Sequence, residues 1–291
     1  IYTLSLHDAL PIYELSERGF MEPTGSASCA DRKNQPNGII DYPNTYDRSW
    51  KLYNHLIGQI PDDIIVRSYC LGTRWSYVEA DCGMGVAWTA KGGAPRTVKR
   101  DLRGLPLRVV AEMSKSWCFE EATLGIAALN AYYSRRELLD PLGARYDEPV
   151  ELPDGTTRKM DAFSLYRDRM EGKKVVVVGH FPHVDRIAEY AQLTVLERNV
   201  TNPLDTPDPA CEYVMPSTDF AFVTGVTFIN KTAPRLLDLT RNATTVFVGP
   251  STVMSPFLFE WGVDMLAGSV VADSERSEEH TSELQSHELI S

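Results

Sequence analysis

Beyond residue 46 the chain falls into two rhythms. Trp50, Leu52, Tyr53, Leu56 and Ile57 recur at helical spacing until Pro61, which cannot continue a helix. The apolar stretches Ile64 to Val78 and Met84 to Ala90 lack that period. Joined by the turn-forming Asp81, Cys82 and Gly83, they predict a β-hairpin. A Gly-rich basic loop, Lys91 to Gly104, then leads to a helix at Leu107 to Lys115 and a longer one at Phe119 to Tyr133. Helix, hairpin and helix pair in that order make an α+β module.

From Asp140 to Thr157 the periodicity stops, and prolines, glycines and acidic pairs take over, as in a linker between compact units. Short, continuous apolar strands then alternate with amphipathic helices. The strands are Lys174 to Val178, Leu193 to Leu196, Phe220 to Thr224, Thr245 to Val248 and a last one near Met265 to Val271. The helices are His183 to Gln192, Pro209 to Val214, Lys231 to Thr240 and Pro256 to Trp261. Strands without polar alternation are buried on both faces, so this half predicts a doubly wound, Rossmann-like parallel sheet.

The ends read differently. Residues 276–286, RSEEHTSELQS, and residues 1–12, IYTLSLHDALPI, resemble the translations of the two adapters of a short-read sequencing library, and 287–291 fit their continuation. Segments of this kind are set aside before fold reasoning. The expected organisation is adapter at 1–12, a loosely ordered Gly/Ser/Pro/Asn-rich extension at 13–45, an α+β domain at 46–150, a Rossmann-like domain at 151–275 and adapter at 276–291. Met21 is a candidate start.

Charge and cysteine content narrow the partners. The formal net charge of −11 becomes −7 once Asp8 (−1) and the C-terminal run (−3) are set aside. A modestly acidic chain argues against nucleic acid and anionic membranes, and no apolar run reaches the roughly 20 residues of a membrane span. Five scattered cysteines, none in a C-x-x-C pair, point to a reducing cytoplasm rather than a disulfide framework. A homo-oligomer is compatible with these features.

In open parallel sheets ligands settle outside the carboxyl ends of the strands, so the loops there carry the candidate chemistry. Gly179, His180, Phe181, Pro182 and His183 follow the first strand. The loop lacks the second and third glycines of a dinucleotide fingerprint, so conventional NAD binding is not expected, although Glu197 stands where a ribose-binding acid would. Thr224, Gly225, Asn230 and Thr232 belong to a second loop. They either hold a carboxylate or phosphate at a helix N-terminus, or Asn230 simply caps the helix. Gly249, Ser251 and Thr252 form a third, which either binds an anion or closes a turn. His180 and His183 form an H-x-x-H, but Pro182 between them keeps the two off one helical face. His180 is therefore the better single metal ligand. Glu120 and Glu121 suit the first turn of a helix, Asn130 among alanines requires a partner if buried and is a candidate ligand-binding residue, and Arg96, Lys99, Arg100 and Arg103 either steer an anion or are solvated.

Taken together, GHFP at 179–182, LER at 196–198, TGVTFINKT at 224–232, GPST at 249–252 and AGS at 267–269 resemble the DUF364 family. SWCFEEATLGIAALNA at 116–131 and LGTRWSYVEA at 71–80 resemble DUF4213, its usual N-terminal companion. The resemblance implies an enolase N-terminal-like α+β domain joined to a Rossmann-like domain, with a site in the cleft between them and a role in heavy-metal chelation. It supplies no catalytic residues.

Two functions follow as expectations. One is a protein that binds a heavy-metal ion or a metal chelate in the cleft through His180, Glu197, Asn230 and the GPST loop, with the scarcity of clustered Cys and His favouring the chelate. The other is an enzyme acting on a small anionic metabolite or nucleotide-like ligand, with His180 as acid or base.

Overall fold

The computed structural model describes residues 2–5, 48–146, 150–151, 157–158 and 162–271. The extension at 13–45 and the C-terminal run from 276 lie outside the described residues, as do parts of the linker. In chain order the elements begin with strand β1 (Tyr2–Ser5), helix α1 (Arg48–Gly58), strands β2 (Val66–Leu71), β3 (Trp75–Ala80) and β4 (Gly83–Trp88), then α2 (Leu107–Ala111), α3 (Phe119–Tyr133) and α4 (Arg136–Leu139). The short strands β5 (Arg145–Tyr146), β6 (Val150–Glu151) and β7 (Thr157–Arg158) lead to α5 (Ala162–Met170). The remainder is β8 (Lys174–Val178), β9 (Gln192–Glu197), β10 (Asp205–Pro207), α6 (Cys211–Val214), β11 (Phe220–Thr224), α7 (Val226–Ile229), α8 (Ala233–Leu239), β12 (Thr244–Val248) and β13 (Met265–Gly268).

The first half departs from the expected hairpin. Ile64 to Val78 is not one strand but two, turned at residues 72–74, so β2, β3 and β4 form a three-stranded antiparallel meander. Gly72 and Thr73 interrupt the apolar run and permit the extra reversal. The meander packs against α3, whose run from Gly125 to Ala131 is buried throughout. Small side chains there let helix and sheet approach closely. The stretch after α2, Glu112–Lys115, tightens into a 3₁₀ turn.

In the second half six strands are parallel, in the order β10-β9-β8-β11-β12-β13. Numbered within this half they run 3-2-1-4-5-6, the order of a doubly wound sheet, with its crevice where the winding reverses between β8 and β11. The pleat sends alternate side chains to opposite faces. Val175, Val177, Phe220, Phe222, Val246 and Val248 pack with α5 and the 184–189 turn. Val176, Ala221, Val223, Phe247 and Leu266 face α7, α8 and the core of the first half. One contiguous core thus runs from Leu52 and Ile126 to Phe228 and Phe247, all at most 1% exposed.

Three elements of the second half differ from expectation. The segments 184–189 and 256–261 are 3₁₀ turns rather than α-helices. Strand β10, Asp205–Pro207, is an addition to the expected strands: it is short and polar and carries no apolar run. Beyond β13 the sheet continues antiparallel through β1 and then β5. Residues 2–5 were read as adapter. A strand edge presents main-chain N–H and C=O groups that any extended segment satisfies, so this pairing requires no particular sequence.

Candidate functional site

The loops after β8, β11 and β12 meet at the carboxyl edge of the sheet, below the strand ends β3 and β4 of the first half. Between them lies a cleft of about 980 Å³. The convergence is tight. A Cβ on Gly179 would lie 3.2 Å from Thr224 Cγ2, and one on Gly249 would lie 3.8 Å from the Phe181 ring. Gly179 also has φ 98°, a left-handed conformation in which side chains are strained. Gly225 serves a different need. Its φ is an ordinary −58°, but a Cβ there would meet Thr252 N at 2.2 Å, so its hydrogen lets two loops touch backbone to backbone.

Of the residues singled out from sequence, Gly179, His180, Phe181, Glu197, Thr224, Asn230, Thr232, Gly249 and Ser251 line the cleft. Gly225, Thr252 and Asn130 do not. Asn130, 1% exposed, donates from Nδ2 to Val86 O (2.9 Å) and Pro250 O (3.0 Å), so its amide joins the two halves instead of facing a ligand. Thr252 is fully buried, its N–H closing a turn onto Gly249 O at 2.9 Å.

Most of the polar groups expected to grip an anion hold the loops themselves. Ser251 Oγ accepts the Trp88 N–H across the interface at 2.8 Å. Asn230 Oδ1 accepts both the N–H (3.1 Å) and the hydroxyl (2.6 Å) of Thr232, an Asx turn ahead of α8, whose N-cap position is Thr232 itself. The Glu197 carboxylate is not turned outward as a ribose ligand. It accepts the main-chain N–H of His180 (3.0 Å), Arg198 (3.0 Å) and Asn199 (3.5 Å). The reason is common to all three: a loop leaving a strand exposes main-chain donors, and the nearest short polar side chain satisfies them.

His180 is different, because its ring is held by another side chain and not by main-chain groups. Its Nδ1 lies 2.6 Å from Asp205 Oδ1, and the Asp205 side chain is wholly buried while the imidazole is 34% exposed. Burial alone would raise the Asp205 pKa. Hydrogen bonds from His180 and from the main chain at Asn202 and Thr201 outweigh it and hold the carboxyl below its usual range. An ionised buried partner on Nδ1 fixes the ring and leaves Nε2 for a ligand or a proton. His183 follows at φ 61° and is exposed and absent from the cleft wall, so the H-x-x-H is not a paired site.

The remaining walls come from residues that sequence reasoning passed over. Trp75 and Trp88 meet edge to face (centroids 5.2 Å apart, 82°), with Arg74 over the Trp88 ring at 5.6 Å. Phe119 adds a ring beside Phe181, which the sequence had marked, and Lys91, Arg198 and Arg235 add cationic groups. Arg198 and Arg235 are paired with Asp208 and Glu212. The basic loop contributes Lys91 alone to the lining. Arg103 is turned to Asp101, and Arg96 to Val98 O. Glu121 is likewise structural: it accepts from Thr97 N (2.5 Å), Val98 N (2.6 Å) and Ser116 Oγ (2.6 Å) and ties this loop to α3.

A bare metal ion does not fit these donors. Among the described residues no group of three or more His, Cys, Asp or Glu side chains is arranged to hold one. Around His180 the carboxylate oxygens of Asp205 and Glu197 are already committed to the imidazole and to main-chain N–H groups.

Residues 161–284 match the family model DUF364 and residues 53–133 match DUF4213, each described as "Putative heavy-metal chelation". A crystal structure of a DUF364 protein of unknown function from Desulfitobacterium hafniense DCB-2 is 35% identical. The match covers 80% of this chain and 91% of that one, with a TM-score of 0.70. The DUF364 protein PH1506 from Pyrococcus horikoshii shares the fold at 22% identity, over 78% of this chain and 88% of that one, with a TM-score of 0.57. Among curated sequences, the uncharacterized protein MJ0500 of Methanocaldococcus jannaschii is 27% identical over 242 residues, 77% of this chain and 85% of that protein. The two family models lie on the two halves that build the cleft, and the solved relative is matched over nine-tenths of its length: the chain belongs to the DUF364 family.

Proposed function

We propose that this protein binds a flat, anionic metal chelate in the cleft between its halves, the metal arriving inside an organic ligand and not as a bare ion. The observation that carries this reading is the composition of the cleft. About 980 Å³ is walled by Trp75, Trp88, Phe119 and Phe181 with cationic groups among them, and no three-donor metal cage occurs among the described residues. Rings stack on the faces of a planar ligand, and Arg74 and Lys91 meet its carboxylates. The family description, heavy-metal chelation, supplies the metal. His180 would add one nitrogen donor to an ion whose other positions its chelator fills.

Native mass spectrometry tests the reading with bis(oxalato)cuprate(II), a flat dianionic chelate, against aqueous copper. The expected result is one chelate retained per chain, weakened at least ten-fold in Trp88→Ala, with aqueous copper lost on dialysis. Retention of the aqueous ion alone, or of neither species, would overturn it.

The His180–Asp205 pair favours a second reading, an enzyme in which Nε2 acts as general base or acid on a small anionic or nucleotide-like metabolite. A thermal-shift screen of nucleotides, pterins and amino acids separates the two. This reading expects one of these compounds to stabilise the protein, and that effect to vanish in both His180→Ala and Asp205→Asn.

A further inference from the structure

A second cavity, of about 150 Å³ and sharing no lining residue with the cleft, opens at the α7–α8 turn. It is lined by Ser49, Trp50, Tyr53, Trp117 and Lys231. Trp50 lies 5.5 Å from Tyr53 and 6.0 Å from Trp117, ring centre to ring centre, so the three rings form one aromatic wall. Lys231 closes the other side. Its backbone holds φ 69°, a left-handed conformation that strains a non-glycine residue. Its Nζ donates to Ile229 O at 2.6 Å and stands 5.8 Å from the centre of the Trp117 ring.

Among the described residues no carboxylate pairs with this amine, which is unusual for a lysine withdrawn from water. Burial pushes its pKa down to about 7, so near neutrality much of the population carries a free lone pair. Neither proposed cleft mechanism uses Lys231. It is displaced from the cleft although its neighbours Asn230 and Thr232 line it.

We propose that this cavity is a second, covalent small-molecule site, in which the Lys231 amine forms an imine with a small uncharged aldehyde. The Nζ lone pair attacks the carbonyl carbon, a C–N bond forms, and proton transfer to the carbonyl oxygen releases it as water, leaving C=N with no change of oxidation state. When protonated, the imine carries the same single positive charge as the ammonium it replaces, and the Trp117 face stabilises it by cation–π attraction. The wall offers no second cation for an anionic ligand. At about 30 Å³ per water-sized group, the space admits about five such groups, the size of a short-chain aldehyde.

Reductive trapping tests the site on the intact chain. The protein is incubated at pH 7 with propanal and cyanoborohydride, which reduces only the imine, and is then peptide-mapped by mass spectrometry. We expect Lys231 to be propylated at least ten-fold faster than the exposed Lys91 and Lys99, and the fast phase to be absent from Lys231→Met. Labelling of Lys231 no faster than those two lysines would overturn the proposal. The comparison is made within the wild-type map, so it stands even if the variant folds poorly, and a His180→Ala protein with an impaired cleft is expected to label as wild type does.

Discussion

Gly225→Ala is expected to destabilise the protein by about 3 kcal/mol or more, the upper range for overpacking, and to lower its thermal midpoint by about 6–12 °C. The added methyl has nowhere to go. It would lie 2.2 Å from Thr252 N, 2.3 Å from Ser251 C and 2.7 Å from Ser251 O, all main-chain atoms, so no side chain can rotate away. The loop at 249–252 has to shift, and with it Ser251, which holds the Trp88 N–H, and Pro250, which holds Asn130. Loss of stability and loss of chelate binding should therefore appear together. Gly58→Ala is the control, since nothing lies within 4 Å of that position at the end of α1, and helix propensity there favours alanine by up to about 1 kcal/mol. Thermal melts of the two variants check both statements. A Gly225→Ala protein melting within 2 °C of wild type would show that the loops are not packed as described.

The second large effect belongs to Glu121. Its side chain, on a residue 1% exposed, accepts from the main chain of Thr97 and Val98 and from the hydroxyls of Ser116 and Thr97. Glu121→Ala leaves the donors of the buried Val98 and Ser116 without an acceptor, at about 1–3 kcal/mol each, so a total loss of about 2 kcal/mol or more is expected. Burial works against the charged carboxylate, but the hydrogen bonds outweigh it and hold the pKa below the usual value. The sign of the pH dependence follows. On acidification the unfolded chain takes up this proton first, near the ordinary glutamate value of about 4.3, and the folded chain only later. The contribution is therefore complete above the unfolded value and is lost as the pH falls through the folded one. Denaturant unfolding of wild type and Glu121→Ala at pH 7 and across pH 5 to 3 reads it out: the gap between the two proteins should shrink toward low pH. A constant gap would mean that folding leaves the Glu121 pKa where the unfolded chain has it.

Glu121 also shows how far sequence reading reached. Its place in the first turn of α3 was legible, because acidic residues favour helix N-termini whatever they do next. The loop it would grasp was not, since Thr97 and Val98 lie 24 and 23 residues away and a helical period carries no information about them. Asn130 was correctly marked as an amide in need of partners. That the partners would be Val86 O and Pro250 O, and the role interfacial, came only from packing.

The chain's own pattern determined the parallel layering of the second half. Unbroken apolar runs such as KVVVV at 174–178 and TTVFV at 244–248 are stable only with both faces covered, and that requirement places the loops after them at one edge. Hence His180, Thr224 and Ser251 could be named in advance as neighbours. What the folded molecule alone decided is which of their atoms remain for a ligand. Asp205 reaches His180 across the one intervening strand, β9, and 25 residues, Trp75 and Trp88 arrive from the other half, and the hydroxyls and amides turn back to satisfy main-chain donors. Periodicity reports which face of an element meets the core. It is silent on which buried hydrogen-bonding groups find each other, because that depends on distances between segments remote in sequence.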